Sequence, residues 1–379
     1  MSRLAASGSF TLLCISCLTI MVGAVVAPGL ADISLSLGVA DHAGLLITLP
    51  ALGAVLFAPF SGRLIDRFGA YQCTLIALFL YGALGVSGQW LSGPTAVYIN
   101  RIVLGATTTV VMAGSTTLIS QFYSGFERLQ MIARQGMAIE LGGVIFLFIG
   151  GLLATKSWQW PFYIYLMAWL FLLMLYFLVP RNHIGKVEHH QQQQEEVGGP
   201  GQLIWVYMSA CAAMMIFFTA VVVLPLSMEK TGYSADGIGL LLAFISLVAV
   251  VTAHFLPKVN LRWKDRGTLG LAFTFYVLAH LAFYWADSLP VLVLGGWLAG
   301  MGFGFSIPLL NHMTVEKSHP EQRGKNLSYF AMAVFLGQFL TSFMEFFPGK
   351  LLFLMAALVA AGYLLCVLMV FRKPAPAAH

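Results

Sequence analysis

Charge is what this sequence has least of. Only 9% of its 379 residues are Asp, Glu, Lys or Arg, against about a quarter in a water-soluble domain. Hydrophobic residues make up 59%, and the mean hydropathy is +0.85. So few charges cannot cover a water-facing surface, which excludes a soluble fold. The net charge of +5 does not mark a nucleic-acid binder. The basic residues are scattered over short loops, with no basic face or aromatic-basic tract. Cysteines are few: Cys14, Cys17, Cys73, Cys211 and Cys366, all in or beside apolar runs. Cys14 and Cys17 form a CxxC without a second Cys or His set, so they read as two small packing residues rather than a metal or redox centre. There is no HExxH, no GxSxG and no pair of catalytic carboxylates, which argues against a membrane enzyme. No nucleotide-binding motif is present. Gly300, Gly302 and Gly304 in GMGFG lack a preceding strand and read as close helix packing. No cofactor and no metal are expected.

What the chain has in abundance is apolar runs of membrane-spanning length. They cover about Phe10–Leu30, Ala43–Gly62, Gln72–Leu91, Ala96–Ile119, Gln135–Thr155 and Trp160–Pro180, then Leu203–Leu226, Asp236–Pro257, Thr268–Ala286, Val291–Met313, Leu327–Phe347 and Leu351–Phe371. Strands of a barrel would be half as long and would alternate. The run after Arg3 is long for a signal sequence and reads as the first span. The expected fold is therefore an all-α integral membrane protein of twelve helices.

Assigning alternate loops to opposite sides places 16 of the 20 Lys and Arg on the side shared with both termini, 3 on the other, and Arg101 within a span. A missed span would scramble that asymmetry. Both termini are expected to face the cytoplasm, in a cell membrane. Trp90, Trp158, Trp160, Trp205 and Trp285 sit at span ends, where interfacial aromatics belong. The one polar linker, Arg181 to Gln202, is Gln-rich and ends in Gly-Pro-Gly. It divides the chain into an N-terminal bundle (1–180), a cytoplasmic linker (181–202) and a C-terminal bundle (203–379). The halves align weakly at a constant offset of 195: Gly105 meets Gly300, Glu127 meets Gln322, Arg128 meets Arg323 and Gly142 meets Gly337. Repeated halves around a central site are a transporter plan.

Three of the scarce charges fall in SGRLIDRFGA, Ser61 to Ala70. Gly62 and Gly69 permit a tight turn and close helix approach. Asp66 is placed just ahead of the third helix, where unpaired N–H groups favour a carboxylate. Arg67 anchors the loop. This stretch, Gly62-Arg-Leu-Ile-Asp66-Arg67-Phe-Gly69, resembles the signature between the second and third helices of the major facilitator superfamily. Its position and the 6+6 arrangement extend the resemblance over the whole chain. The stretch departs from the family pattern at Ala70 and Tyr71, where basic residues are usual. The resemblance implies that Asp66 bridges to the other half and steadies the outward-facing state, making Gly62, Asp66, Arg67 and Gly69 a conformational switch.

Charges inside a membrane are functional candidates by default. Arg101 lies within the fourth span, and Arg101-Ile-Val-Leu-Gly105 resembles the family's R-x-x-x-G signature, associated with proton coupling. Asn100 stands beside it. A fixed cation there can bind an anionic group or act on a neighbouring carboxyl; the plain alternative is an arginine snorkelling to headgroups. Glu140, within the fifth span, is the first candidate for carrying protons; the alternative is a packing residue. In the fifth helix, Gly142, Gly150 and Gly151 match a family antiporter pattern, but Phe146 and Leu147 replace its Gly-Pro pair. Glu127, Arg128 and Arg323 are loop charges on the cytoplasmic side. Tyr276, His280 and Gln338 are further cavity candidates.

The function expected is secondary active transport by alternating access, with proton-coupled efflux of a small drug-like molecule or metabolite foremost. The partners expected are that small molecule, protons and the lipid bilayer, with the chain acting as a monomer. An importer of the same fold and a non-transporting membrane sensor are the alternatives.

Overall fold

The computed structural model describes residues 4–123, 125–181, 200–318 and 323–370. Among these residues every regular element is helical: α1 (Ala6–Ala24), the short α2 (Leu30–Ser36), α3 (Leu45–Phe68), α4 (Ala70–Ser87), α5 (Pro94–Phe122), α6 (Gly125–Ala154), a 3-10 turn at Trp160–Leu166 leading into α7 (Met167–Leu178), α8 (Pro200–Lys230), α9 (Ala235–Tyr284), α10 (Leu289–Glu316), α11 (Arg323–Leu340) and α12 (Leu351–Val370). Eleven stretches of the described residues are long and apolar enough to cross a membrane. One of them, α9, has 50 residues. At 1.5 Å per residue it would reach about 75 Å, over twice the thickness of an apolar bilayer core. Its backbone leaves the helical region at Lys264 (φ 57°, ψ 175°), inside the basic stretch that the sequence marks as a loop. The eleven stretches thus hold twelve spans.

Lys264 is the only non-glycine residue with positive φ among those described. Such a conformation costs about 1–3 kcal/mol for a residue with a Cβ. Lys264→Gly should therefore raise the stability of the purified protein by about 1 kcal/mol, read as a higher melting temperature. An unchanged or lower value would show that the surrounding helices impose no strain there.

Helix ends follow local chemistry. The first helix stops at Ala24, earlier than the apolar run, because Pro28 has no N–H to continue the ladder. The turn between α3 and α4 is a single residue, Gly69 (φ 85°, ψ 144°). This corrects the placing of Asp66 just ahead of the third helix and of Arg67 in a loop, since all but the last two residues of Ser61 to Ala70 belong to α3. The close approaches run through glycine. A Cβ on Gly105 would lie 1.8 Å from the Pro50 carbonyl oxygen, and one on Gly53 would lie 2.0 Å from that of Ile102. Thus α3 and α5 cross with backbone against backbone.

The internal repeat reappears in these contacts. Gly142 meets Cys17 of α1, and its counterpart Gly337 meets Cys211 of α8. Thr109 donates to the Ala54 carbonyl (3.2 Å). At the same offset, a Cβ on Gly304 would lie 2.6 Å from the Ala249 carbonyl oxygen. The described residues group into two compact units. One holds α1–α7 with Val221–Leu247, and the other holds residues 200–220 and 248–370. Within the first, a Cβ on Gly239 of α9 would stand 2.9 Å from the Gly151 Cα of α6.

Candidate functional site

Arg101 projects from the second turn of α5 and is 1% exposed, the largest fully buried side chain. An unpaired charge at such depth is costly, so its surroundings need an account. Nη1 donates to the Tyr165 hydroxyl (3.2 Å), which in turn donates to the Val22 carbonyl (2.8 Å). That carbonyl is free because α1 ends there: the Val26 N–H bonds to Gly23 instead. The last carbonyls of a helix carry about half a negative charge. The guanidinium is therefore linked, through one hydroxyl, to the negative end of α1. Tyr81 donates to the Leu18 carbonyl one turn earlier (2.7 Å) and packs on Tyr165 (ring centroids 5.8 Å apart). The guanidinium also stands over the Phe162 ring, 5.3 Å from its centroid, where a cation is attracted to the π face. Gly85 and Gly88 of the α4 end leave room for these rings, since a Cβ at either would meet Tyr165 or Phe162. Nε and Nη2 make no hydrogen bond. Arg101 is thus enclosed within the bundle, not snorkelling to its edge.

Tyr165 and Phe162 were not singled out in the sequence. Nothing local distinguishes them from the other aromatics around Trp160, and only the fold brings them under Arg101. The second half fills the equivalent space differently. At the offset of 195, Gly85 and Gly88 correspond to His280 and Phe283, while Asn100 and Arg101 correspond to Gly295 and Gly296. A Cβ on Gly295 would collide with Phe283. The large side chains come from the fourth helix of one half and from the third helix of the other.

Asn100 is buried and donates to the Leu84 carbonyl (3.1 Å) and to Ser87 (3.4 Å), tying α5 to α4. Gly105 provides the α3 crossing described above. Glu140 lies in the middle of α6 with a half-buried side chain; among the described residues no ion pair reaches it. One turn and more before it, Gln135 donates to Ser16 (2.9 Å), Thr116 (3.1 Å) and Ser115 (3.3 Å), a buried polar knot joining α1, α5 and α6. An uncharged side chain inside a span was the available signal for Gln135, and it marks a helix contact.

In the second half, Tyr276 and His280 are fully buried. The Tyr276 hydroxyl pairs with Ser306 (3.0 Å), and His280 Nδ1 donates to the Tyr276 carbonyl (2.9 Å). Gln338 of α11 is buried too. Tyr276 and His280 thus lie one turn apart on α9, with Ser306 of α10 against the tyrosine.

Asp66 is exposed in the last turn of α3. It caps nothing: the N-cap position of α4 is Gly69, without a side-chain bond. A carboxylate at the carbonyl end of its own helix is mildly unfavourable, so the explanation by helix N–H groups gives way. Gly62 also departs from expectation, since a Cβ there would meet nothing within 4 Å. Arg67 is exposed, with its guanidinium 5.4 Å from the Phe68 ring centroid. Glu127 is exposed. The side chains of Arg128 and Arg323 lie outside the described residues, as does most of the linker, residues 182–199. Among the described residues no three His, Cys, Asp or Glu side chains come together as a metal site would require.

Comparison with known proteins agrees with this architecture. A family model described as Major Facilitator Superfamily matches residues 12–342 and 206–379. The chain is 27% identical over 373 residues to a tetracycline resistance protein, class D, of Salmonella ordonez, covering 90% of each chain. It is 27% identical over 312 residues to the class B protein of Escherichia coli, covering 76% of this chain and 73% of the relative. Among solved structures, the nucleoside transporter NupG superposes with a TM-score of 0.76 at 13% identity, covering 97% of this chain and 100% of that one. A D-xylose-proton symporter superposes at 0.73 and 16% identity, covering 96% of each. Twelve spans, repeated halves, the Asp66 stretch ending at the Gly69 turn and a family model running nearly end to end lead to one conclusion: the chain belongs to the Major Facilitator Superfamily.

Proposed function

We propose that this transporter exports a small organic molecule, drug-like or a metabolite, in exchange for protons. The observation that carries the direction is the 27% identity, over 90% of each chain, to a tetracycline resistance protein. A transporter that confers resistance removes its substrate from the cell. The likeness to the nucleoside transporter and the xylose symporter is below 25% identity and speaks for the fold alone. On this reading the two halves rock about a central site, both termini face the cytoplasm, and the chain works as a monomer. Arg101 supplies a fixed, buried positive charge whose Nε and Nη2 donors are unbonded in this state and would meet an acceptor only in a state that opens the bundle around them. Glu140 carries the proton, as an unpaired carboxyl in apolar surroundings can. Asp66, which costs its own helix a little, is retained to bridge to the other half in one state.

Glu140→Gln separates coupling from binding. In inside-out vesicles the variant should lose accumulation driven by a pH gradient while keeping substrate exchange at the wild-type level. The substrate is first found by comparing growth across a compound panel, and extracellular metabolites by mass spectrometry, with and without the chain. Gradient-driven uptake intact in Glu140→Gln would remove the proton role from that residue. Depletion of a compound from the medium by the intact chain would reverse the direction.

A further inference from the structure

A second site lies away from Arg101, at the edge of α4 and α7 on the Lys/Arg-rich side. A cavity of about 440 Å³ opens there, lined by Tyr71, Leu75, Tyr176, Phe177, Pro180 and Arg181. Its volume falls within the range of small-ligand sites. Its walls face outward: Tyr176 is 62% and Phe177 74% exposed. One end is polar. The Arg181 guanidinium stands 6.0 Å from the Tyr71 ring centroid, and with the Gln72 amide turned to its hydrogen-bonding orientation Nη2 donates to that neutral amide's oxygen (2.5 Å). No carboxylate among the described residues pairs with it. The Tyr71 hydroxyl holds the last carbonyls of α7, at Leu175 and Tyr176 (3.4 Å each), and so fixes the rim. The other end is apolar and continues along the helices. Leu75 leads, one turn on, to Phe79, which stacks on Trp169 (5.8 Å between centroids), both exposed.

We propose that this cavity binds an anionic phospholipid of the adjoining leaflet, with its phosphate on Arg181 and an acyl chain along Leu75 and the Phe79–Trp169 pair. A guanidinium with no carboxylate partner among the described residues favours a phosphate with which it can form two parallel hydrogen bonds. A basic pocket between spans on the positively charged side is where anionic headgroups settle. A cation at one end and an exposed apolar track at the other fit a lipid and do not fit a soluble anion.

The test is native mass spectrometry of the full-length, delipidated protein, offered phosphatidylglycerol and phosphatidylcholine with identical chains. The wild type should retain phosphatidylglycerol about fivefold over phosphatidylcholine. Arg181→Gln should bring that ratio near one, whereas Arg262→Gln, outside the cavity on the same side, should leave it unchanged. Leu75→Trp, which fills the apolar end, should lower retention of both lipids. A wild-type ratio near one, or a ratio unchanged in Arg181→Gln, would overturn the proposal. So would displacement of phosphatidylglycerol by equimolar glycerol phosphate, which marks a soluble-anion site. A preference that emerges only after deletion of residues 184–198 would assign the cavity to the chain's own linker.

Discussion

Gly105→Ala should lower the stability of the purified protein by about 3 kcal/mol, with a fall in melting temperature on the order of 5–10 °C and a matching loss of folded yield. The added carbon would sit 1.8 Å from a backbone oxygen of Pro50. A flexible side chain could step aside, but a helix backbone in the core of a bundle cannot. Either α3 and α5 separate, losing the packing that holds membrane helices together, or the variant does not assemble. Gly53→Ala, on the facing helix, should behave alike. Gly62→Ala supplies the contrast. That residue is exposed and helical with open space around its Cβ, so alanine should be neutral or stabilise by roughly 0.5–1 kcal/mol. Size-exclusion profiles over a temperature ramp distinguish the three. A Gly105→Ala protein as stable as wild type would mean that the crossing is looser than its geometry.

Arg101→Leu should abolish transport while the protein still folds, whereas Tyr165→Phe should lower stability while the folded protein still transports. Removing the tyrosine hydroxyl takes away the one hydrogen bond of a buried guanidinium. It also uncouples that charge from the carbonyl end of α1, at a cost of about 2 kcal/mol. With leucine already at 101, the same change leaves no charge unsatisfied and should cost well under 1 kcal/mol, a non-additivity that a double-mutant cycle reads directly. Lysine at 101 should not restore transport, because a compact ammonium cannot lie flat over Phe162 while reaching Tyr165. Normal transport by Arg101→Leu would make the arginine a structural tether alone.

Much of this was legible in the sequence, and the reasons are physical. Span number follows from the length of apolar runs, since lipid tolerates little else. The break in α9 was marked by Lys258, Arg262, Lys264 and Arg266, although the helix runs on past Pro257 almost to Lys264. Arg101, Asn100 and Glu140 stood out because polarity inside a span is rare. What the sequence did not carry is the choice of partner. Asn100 is engaged by α4, Arg101 by an aromatic pair that starts more than sixty residues on, and neither choice leaves a local pattern. The turn at Gly69 shows the same limit at short range. Charges at Arg63, Asp66 and Arg67 signalled a loop, yet the helix extends beneath them because their side chains can reach water while the backbone keeps its hydrogen bonds.

The Arg101 arrangement has a consequence for synthesis. The ribosome completes α5 before it has made Tyr165 and Phe162. During that interval the guanidinium has the carbonyl end of α1 within the chain but not the hydroxyl and ring that connect to it. An arginine without those partners disfavours the fourth span as an independent unit in lipid. If the sixth span must arrive before the fourth is settled, pulse-labelled chains truncated before residue 160 should remain crosslinked to the translocon longer than chains ending after residue 180.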